Sequence, residues 1–419
     1  MSTRIVVVGG GTAGARLAQR LPVTLLGEER HAPYNRVLLA DVLAGRYAPE
    51  VIALPEAREP VRLGTRAVRI DRAARTVECA DGSLVGYDRL VLATGSNPVL
   101  PPLRGLRGAA DLPAGVHPFR TLDDCLALRA LVRPGVRAVV VGGGLLGVSA
   151  ARALAELGAE VVLTQQGERL MERQLDAAAS ALLREHVESL GVEVHTECRV
   201  SGLRQREGAV TAVELADGYV LDAGVVVLAC GVRPRVALAR EAGLDVARGV
   251  VIDDELRTSD PHIHAVGDCA EHAGHLYGLA GPAVEQADAL ADLLLSETAG
   301  HRRAGPLTGT RYTGTRALTR LTLSGPRPLD LAAFGEATAQ PGDDVVQLTD
   351  ATRGAYRKVV VRGDRLVGGV LLGDLAAVGT LARAWEGDEA LPEAPLLHLL
   401  THEGHEGRTG LDGHDGGPS

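Results

Sequence analysis

The sequence carries the same glycine-rich turn twice. "RIVVVGGGTAG" stands at residues 4–14 and "RAVVVGGGLLG" at residues 137–147. The segments downstream of each turn repeat as well: "CADGSLV" and "YDRLVLATGSNP" in the first copy, "LADGYVL" and "GVVVLACGVRP" in the second. Gly9 to Gly95 spans 86 residues and Gly142 to Gly231 spans 89. A repeat of that length is a domain rather than a solenoid unit. The apolar run before each glycine cluster reads as a strand buried on both faces, as in a parallel sheet. Helices are expected over residues 13–21 and 146–157, the first stopped by Pro22. Asp81-Gly82 and Asp217-Gly218 mark a hairpin turn at matching places in the two copies.

After the second copy the chain returns to the theme of the first. "LRTSDPHIHAVGDCAEH" leads into "YGLAGPAVEQADALADLLLSE", a helix pattern with Pro282 near its start. The economical reading is α/β: two Rossmann-like dinucleotide-binding domains, the second inserted in the first. Residues 1–114 and 246–305 form one, and residues 115–245 the other. Residues 306–388 read as a small α+β domain, with strands such as "YRKVVVRGDRLVGGVLL" and a closing helix. Residues 389–419 are rich in Gly and His and are expected to be disordered.

The spacing Gly9-x-Gly11-x-x-Gly14 has a mechanical reason. The first glycine allows a tight turn, the second lets backbone approach a pyrophosphate, and the third lets helix and strand pack closely. The next strand, "VTLLGEE", ends in acid, so Glu29, or else Glu28, is placed to hold a ribose. A purely structural turn is the competing reading. "VLATGSNP" offers a small-residue turn at Ala93, Thr94 and Gly95. "AVGDCAE" puts Asp268 after Gly267 at a strand end, able to accept hydrogen bonds from the ribityl hydroxyls of FAD; a helix N-cap is its plainer reading.

Taken together, these motifs resemble the pyridine-nucleotide-dependent flavoprotein reductases. "PYNRVLLADVLAG", "RLMERQLD" and "CAEHAGHLYGLAGPAVEQA" are similar to the flavin domain of the NAD(P)H-dependent nitrite reductase large subunit and to stand-alone nitrate-assimilation electron-transfer subunits. The resemblance runs from residue 1 to about residue 385. It implies FAD in the first domain, NADH or NADPH in the second, and a C-terminal domain covering the flavin. Carried onto this chain, the FAD contacts are Gly9, Gly11, Ala13, Gly14, Glu29, Arg36, Val68, Ala93, Thr94, Gly95, Gly267, Asp268 and Glu285. Those to NAD(P) are Gly142, Gly144, Leu145, Gly147, Gln165 and Gly231. The "GPAVEQA" helix is expected to aim its positive end at the flavin ring.

The second copy departs from that pattern twice. Ser149 stands where the family usually has a glutamate, and Gln165 replaces the strand-end acid. Glutamine bonds ribose hydroxyls without charge assistance, and it no longer repels a 2′-phosphate; Arg169 lies close in sequence. Phosphate binding is expected to survive and discrimination against NADPH to weaken.

The expected reaction is hydride transfer from nicotinamide C4 to flavin N5, which needs the two atoms about 3–3.5 Å apart. No acid or base is required for it. Cys79, Cys125, Cys198, Cys230 and Cys269 are scattered, without the CxxxxC pair of the disulfide reductases or a metal-ligand spacing. The resemblance implies that nitrite reduction itself uses siroheme and iron–sulfur portions, which are not expected within these residues. The electrons are therefore expected to leave singly, to a ferredoxin, a rubredoxin or a nitrate/nitrite reductase catalytic subunit. Two alternatives stand: a flavin-binding sensor or assembly subunit with an impaired nicotinamide site, and a diaphorase-like oxidase. His398, His402 and His405 share a helical spacing that a metal could use, but a solvated tail is the simpler reading. His272 and His275 flank the flavin segment without an assigned role. The net charge of −9 argues against nucleic acid. No membrane-length apolar run and no signal peptide is visible, so a cytoplasmic monomer or homodimer is expected.

Overall fold

The computed structural model describes residues 3–106, 112–298, 311–325, 327–350 and 352–388, with 390, 391, 397 and 400. The first sheet is fully parallel and ordered Ile263–Ala265, Arg89–Leu92, Ile5–Val8, Thr24–Leu26. The strand from beyond residue 260 thus lies beside the one that ends in "ATG", so both ends of the first copy share one sheet. Val6, Val7, Leu25, Leu90 and Val91 are buried within it, as expected of a sheet covered on both faces.

The second sheet repeats the pattern with one more strand on the far edge. Its order is Val192–His195, Glu160–Thr164, Arg137–Val141, Val225–Leu228, Val116–Pro118, all parallel. Each copy also carries a three-stranded antiparallel hairpin unit, over Ala67–Gly86 and Val200–Asp222. Gly82 and Gly218 take positive φ at the Asp-Gly turns, a backbone region that suits glycine.

Helices Thr12–Arg20 and Leu145–Glu156 come directly after the glycine turns. Each starts and ends one residue before its expected span, because the turn itself supplies the N-cap. The helix Ala280–Thr298 has Pro282 in its first turn, where a missing N–H costs nothing. A short antiparallel pair, Ser96–Pro98 with Val232–Pro234, laces the two copies together just past their sheets.

The last unit is a five-stranded antiparallel sheet ordered Leu318–Leu323, Leu329–Gly335, Arg365–Leu372, Ala355–Arg362, Asp344–Asp350. The helix Val378–Glu386 closes it, with Leu381 and Trp385 buried. The chain's single lysine, Lys358, joins this sheet to the second copy through a 2.8 Å ion pair with Asp176. The Tyr356 hydroxyl donates to the same carboxylate at 2.7 Å. The residues expected to form a tail lie almost wholly outside the described residues, as do His398, His402 and His405. Among the described residues no helix is long and apolar enough to cross a membrane, and no cluster of His, Cys, Asp and Glu could hold a metal ion.

Candidate cofactor sites

A cavity of about 2500 Å³ runs from one glycine turn to the other. It lies past the carboxyl ends of both parallel sheets, where open α/β folds bind ligands. Of the expected contacts, Gly9, Gly11, Ala13, Glu29, Arg36, Val68, Ala93, Thr94, Gly95, Gly267, Asp268 and Glu285 line it at the first copy. Gly142, Gly144, Leu145, Gln165 and Gly231 line it at the second.

Gly14 and Gly147 do not line it. A Cβ on Gly14 would sit 1.9 Å from the Gly9 carbonyl oxygen, and one on Gly147 1.7 Å from that of Gly142. Both act from behind, by letting the helix close onto the turn. Gly9 and Gly142 have φ of 117° and 111°, and a Cβ at either would strike the carbonyl of Ala93 or Ala229. Gly11 and Gly144 have open space where a Cβ would be. No side chain caps either of the two helices, so the first-turn amides keep their hydrogen-bonding capacity for an anion.

The strand-end acid of the first copy is held in place. Arg36 Nη2 donates to Glu29 Oε1 at 2.5 Å, and the Tyr34 hydroxyl donates to Oε2 at 2.6 Å. Arg36 also lies over the Tyr34 ring, 5.0 Å from its centroid. Burial, with the Glu29 carboxylate nearby, pushes the Tyr34 phenol up from its ordinary value, so it stays a donor to Glu29. Glu28 also reaches the cavity but pairs with Arg235 across the interdomain lacing.

Asp268 lies inside a tight 3-10 turn, Gly267–Cys269, and caps no helix. Its Oδ2 accepts from Ser96 Oγ at 2.8 Å and from Arg120 Nη2 at 2.7 Å. Gly267 has φ of 76°, and its N–H donates to Gln286 Oε1 at 2.7 Å. Sequence reasoning missed Ser96, Arg120 and Tyr34. Ser96 and Tyr34 lie inside quoted motifs but carried no role there, and Arg120 is 148 residues from the carboxylate it pairs with. Glu285, in the first turns of the Ala280–Thr298 helix, accepts from the Thr315 hydroxyl at 2.6 Å. That bond ties the helix to the chain leading into the C-terminal sheet, whose residues 315–322 close one wall of the cavity.

At the second copy the Gly143 N–H donates to Gln165 Oε1 at 2.9 Å. Ser149 lines the cavity, but its hydroxyl donates to the Leu145 carbonyl at 2.8 Å within its own helix. Arg169 does not line the cavity. His272 and His275 do not either; His272 is buried, 3.0 Å from Asp254 and edge-on to Tyr312.

The residues fit two dinucleotides. Each turn presents a cradle that any Cβ would fill or strain, and the first adds the Glu29 and Asp268 carboxylates, each paired with an arginine. They do not fit thiol chemistry. Cys198 and Cys230 line the cavity, yet burial raises both thiols, Cys230 to about 11. Cys125 is buried and raised to about 12. A nucleophilic thiolate needs the opposite shift.

Comparison with known proteins agrees with the geometry. Residues 3–287 match the family described as pyridine nucleotide-disulphide oxidoreductase, and residues 319–387 match the rubredoxin NAD+ reductase C-terminal domain. The nitrite reductase [NAD(P)H] large subunit of Klebsiella oxytoca is 37% identical over 413 residues, covering 93% of this chain and 41% of that one. The assimilatory nitrate reductase electron transfer subunit of Bacillus subtilis is 33% identical over 387 residues, covering 88% and 48%. The chain therefore spans about half the length of these relatives. Among solved structures, the covalent putidaredoxin reductase–putidaredoxin complex superposes with a TM-score of 0.80 at 26% identity, covering 95% of this chain and 98% of that one.

Proposed function

The chain belongs to the pyridine nucleotide-disulphide oxidoreductase family, and we propose that it is an FAD-dependent NAD(P)H oxidoreductase that passes electrons to a small electron-carrier protein. The observation that carries this reading is the cavity that the two glycine turns share. When bound, FAD would accept two electrons from the nicotinamide and release them one at a time.

This chain's residues do the rest. The first-turn amides after Gly11 hold the pyrophosphate of FAD, Glu29 its ribose and Asp268 its ribityl chain. Arg120 fixes the Asp268 carboxylate and Arg36 fixes Glu29, so both acceptors are oriented before a ligand arrives. The helix starting at Ala280 brings its positive end to the cavity, which stabilises negative charge there. The second turn, at Gly142, Gly144 and Leu145, holds the pyrophosphate of NAD(P)H. We take residues 1–114 with 246–305 and residues 115–245 as the two binding domains.

The electron carrier is proposed as a ferredoxin, a rubredoxin or the catalytic subunit of a nitrate or nitrite reductase. The C-terminal unit supports a one-electron carrier by its likeness to that of rubredoxin reductases. Free cysteines throughout suit a reducing cytoplasm. The test is anaerobic mixing of FAD-loaded protein with NADH or NADPH. Bleaching of the flavin band, then its return on adding an oxidised iron–sulfur carrier, is expected. A band that neither nucleotide bleaches would refute the reading.

A further inference from the structure

We propose that the second nucleotide site is built for a 2′-phosphate, held by Arg173, Arg199 and the amide of Gln165, and that NADPH is the preferred reductant. The inference rests on the reading of the second copy as a nicotinamide site.

A ribose with free 2′ and 3′ hydroxyls is best read by an acceptor at the strand end, usually a carboxylate. Gln165 has one side-chain acceptor atom, uncharged, and it already receives the Gly143 N–H at 2.9 Å, which leaves a ribose a single neutral lone pair. The side chain is packed against the turn, since a Cβ on Gly143 would lie 3.0 Å from Gln165 Cβ. Gln165 lines the cavity, and its amide NH2 only donates. A neutral amide offers two ribose hydroxyls no charged acceptor, whereas its N–H is a donor. It suits a phosphate oxygen.

Two arginine-bearing segments are bonded next to it. The Cys198 N–H donates to the Gln165 carbonyl at 3.0 Å, which puts Arg199 one residue from the strand end. The Met171 N–H donates to the Gly143 carbonyl at 2.9 Å, which pins the segment bearing Arg173 onto the glycine turn. Arg173 and Arg199 both line the cavity and are exposed in it. Among the described residues neither guanidinium is engaged by a carboxylate. The one acid of this corner that lines the cavity is Glu172, whose carboxylate folds over Gly167: a Cβ there would lie 2.2 Å from Glu172 Oε2. The balance is two cations and a donor against one anion. Arg169, adjacent in sequence, points elsewhere; its Nε is buried without a partner.

The test is calorimetric binding of adenosine 2′,5′-bisphosphate and of 5′-AMP to the FAD-loaded full chain. Charge-assisted bonds from two arginines are expected to favour the bisphosphate by about tenfold or more. Arg173→Ala and Arg199→Ala are each expected to weaken the bisphosphate by about fivefold or more while changing AMP much less. Gln165→Glu is expected to reverse the preference. AMP binding as tightly as the bisphosphate, or arginine variants that lose both ligands equally, would overturn the inference. So would failure of both to bind. Flavin bleaching separates the two levels: NADH reducing the flavin faster than NADPH removes this inference alone, and no bleaching by either removes the proposed function.

Discussion

The two glycine turns differ less in their glycines than in what stands at the next strand end. In the first copy Glu29 is a carboxylate clamped by Arg36 and Tyr34. In the second, Gln165 spends its acceptor on its own turn. The turns themselves agree almost atom for atom: a Cβ at Gly14 or Gly147 would meet the same carbonyl at 1.9 or 1.7 Å. Packing of helix on turn is a constraint of the fold, so both copies keep it. The strand-end side chain lines the cavity and is not part of that packing, so it can differ between the copies.

The strongest way to break the symmetry is to fill it. Gly14→Ala and Gly147→Ala each force a methyl into a backbone oxygen, at a cost of about 3 kcal/mol. Both are expected to lower the unfolding temperature, followed by circular dichroism. The two should part in function. Gly14→Ala is expected to purify colourless, whereas Gly147→Ala should keep its flavin and lose bleaching by NAD(P)H. A yellow Gly14→Ala protein would mean that FAD lies elsewhere.

Next comes the strand end. Glu29→Gln removes the charge from two hydrogen bonds and leaves Arg36 half-buried without its anion. The expected loss in FAD affinity is about 2 kcal/mol, or more than tenfold. Gln165→Ala removes the bond to Gly143 and the amide donor of the proposed 2′-phosphate site, and is expected to cost about 1 kcal/mol in nicotinamide affinity. Flavin release measured by fluorescence, beside nicotinamide titrations, checks the pair. Equal losses would mean that the two strand ends do the same work.

Legibility in the sequence divides along the same line. The glycine turns, Asp268 after Gly267 and the apolar strands were legible because each is a short-range constraint with a fixed residue type. The closing of Asp268 by Arg120 and Ser96 was not, because those partners are 148 and 172 residues away and meet it only through the fold; Tyr34, five residues from Glu29, sat in a quoted motif without a role. Gln165 was visible as a departure, but that its oxygen faces inward is a tertiary fact. Arg173 sat in a quoted motif without a role, and Arg199 had no signal at all.

A third contrast lies within the sheets. His264 pairs with Val91 on the outer side of the "ATG" strand, and His117 pairs with Val227 at the equivalent place in the second sheet. His264 is fully buried with neither ring nitrogen bonded, and burial, with Arg257 and Arg89 nearby, pushes it down to about 3. His117 is only partly covered; burial lowers it, opposed by Asp124. For both, the folded value lies below the unfolded one. Their contribution to stability is full above the ordinary imidazole range and is lost as pH falls through it toward the folded value. The loss from His264 is expected to approach ~1.4 kcal/mol per pH unit below about 6. Urea melts between pH 7 and 4 should show a slope that His264→Val flattens and His117→Val changes less. Equal flattening would put the two positions on the same footing.

The smallest expected effect decides whether the second site is impaired. Ser149 stands where the family resemblance leads to the expectation of a glutamate, and its hydroxyl is already satisfied by the Leu145 carbonyl one turn back. A serine bonded in this way adds little to a helix. Ser149→Ala should therefore change stability by less than ~0.5 kcal/mol and leave the rate of flavin bleaching by NADPH within about twofold. Stopped-flow reduction, with a melt on the same sample, is the measurement. If bleaching slows tenfold while the melt is unchanged, the hydroxyl serves the nicotinamide rather than the helix. The second copy would then hold a contact that its back-bonded geometry conceals.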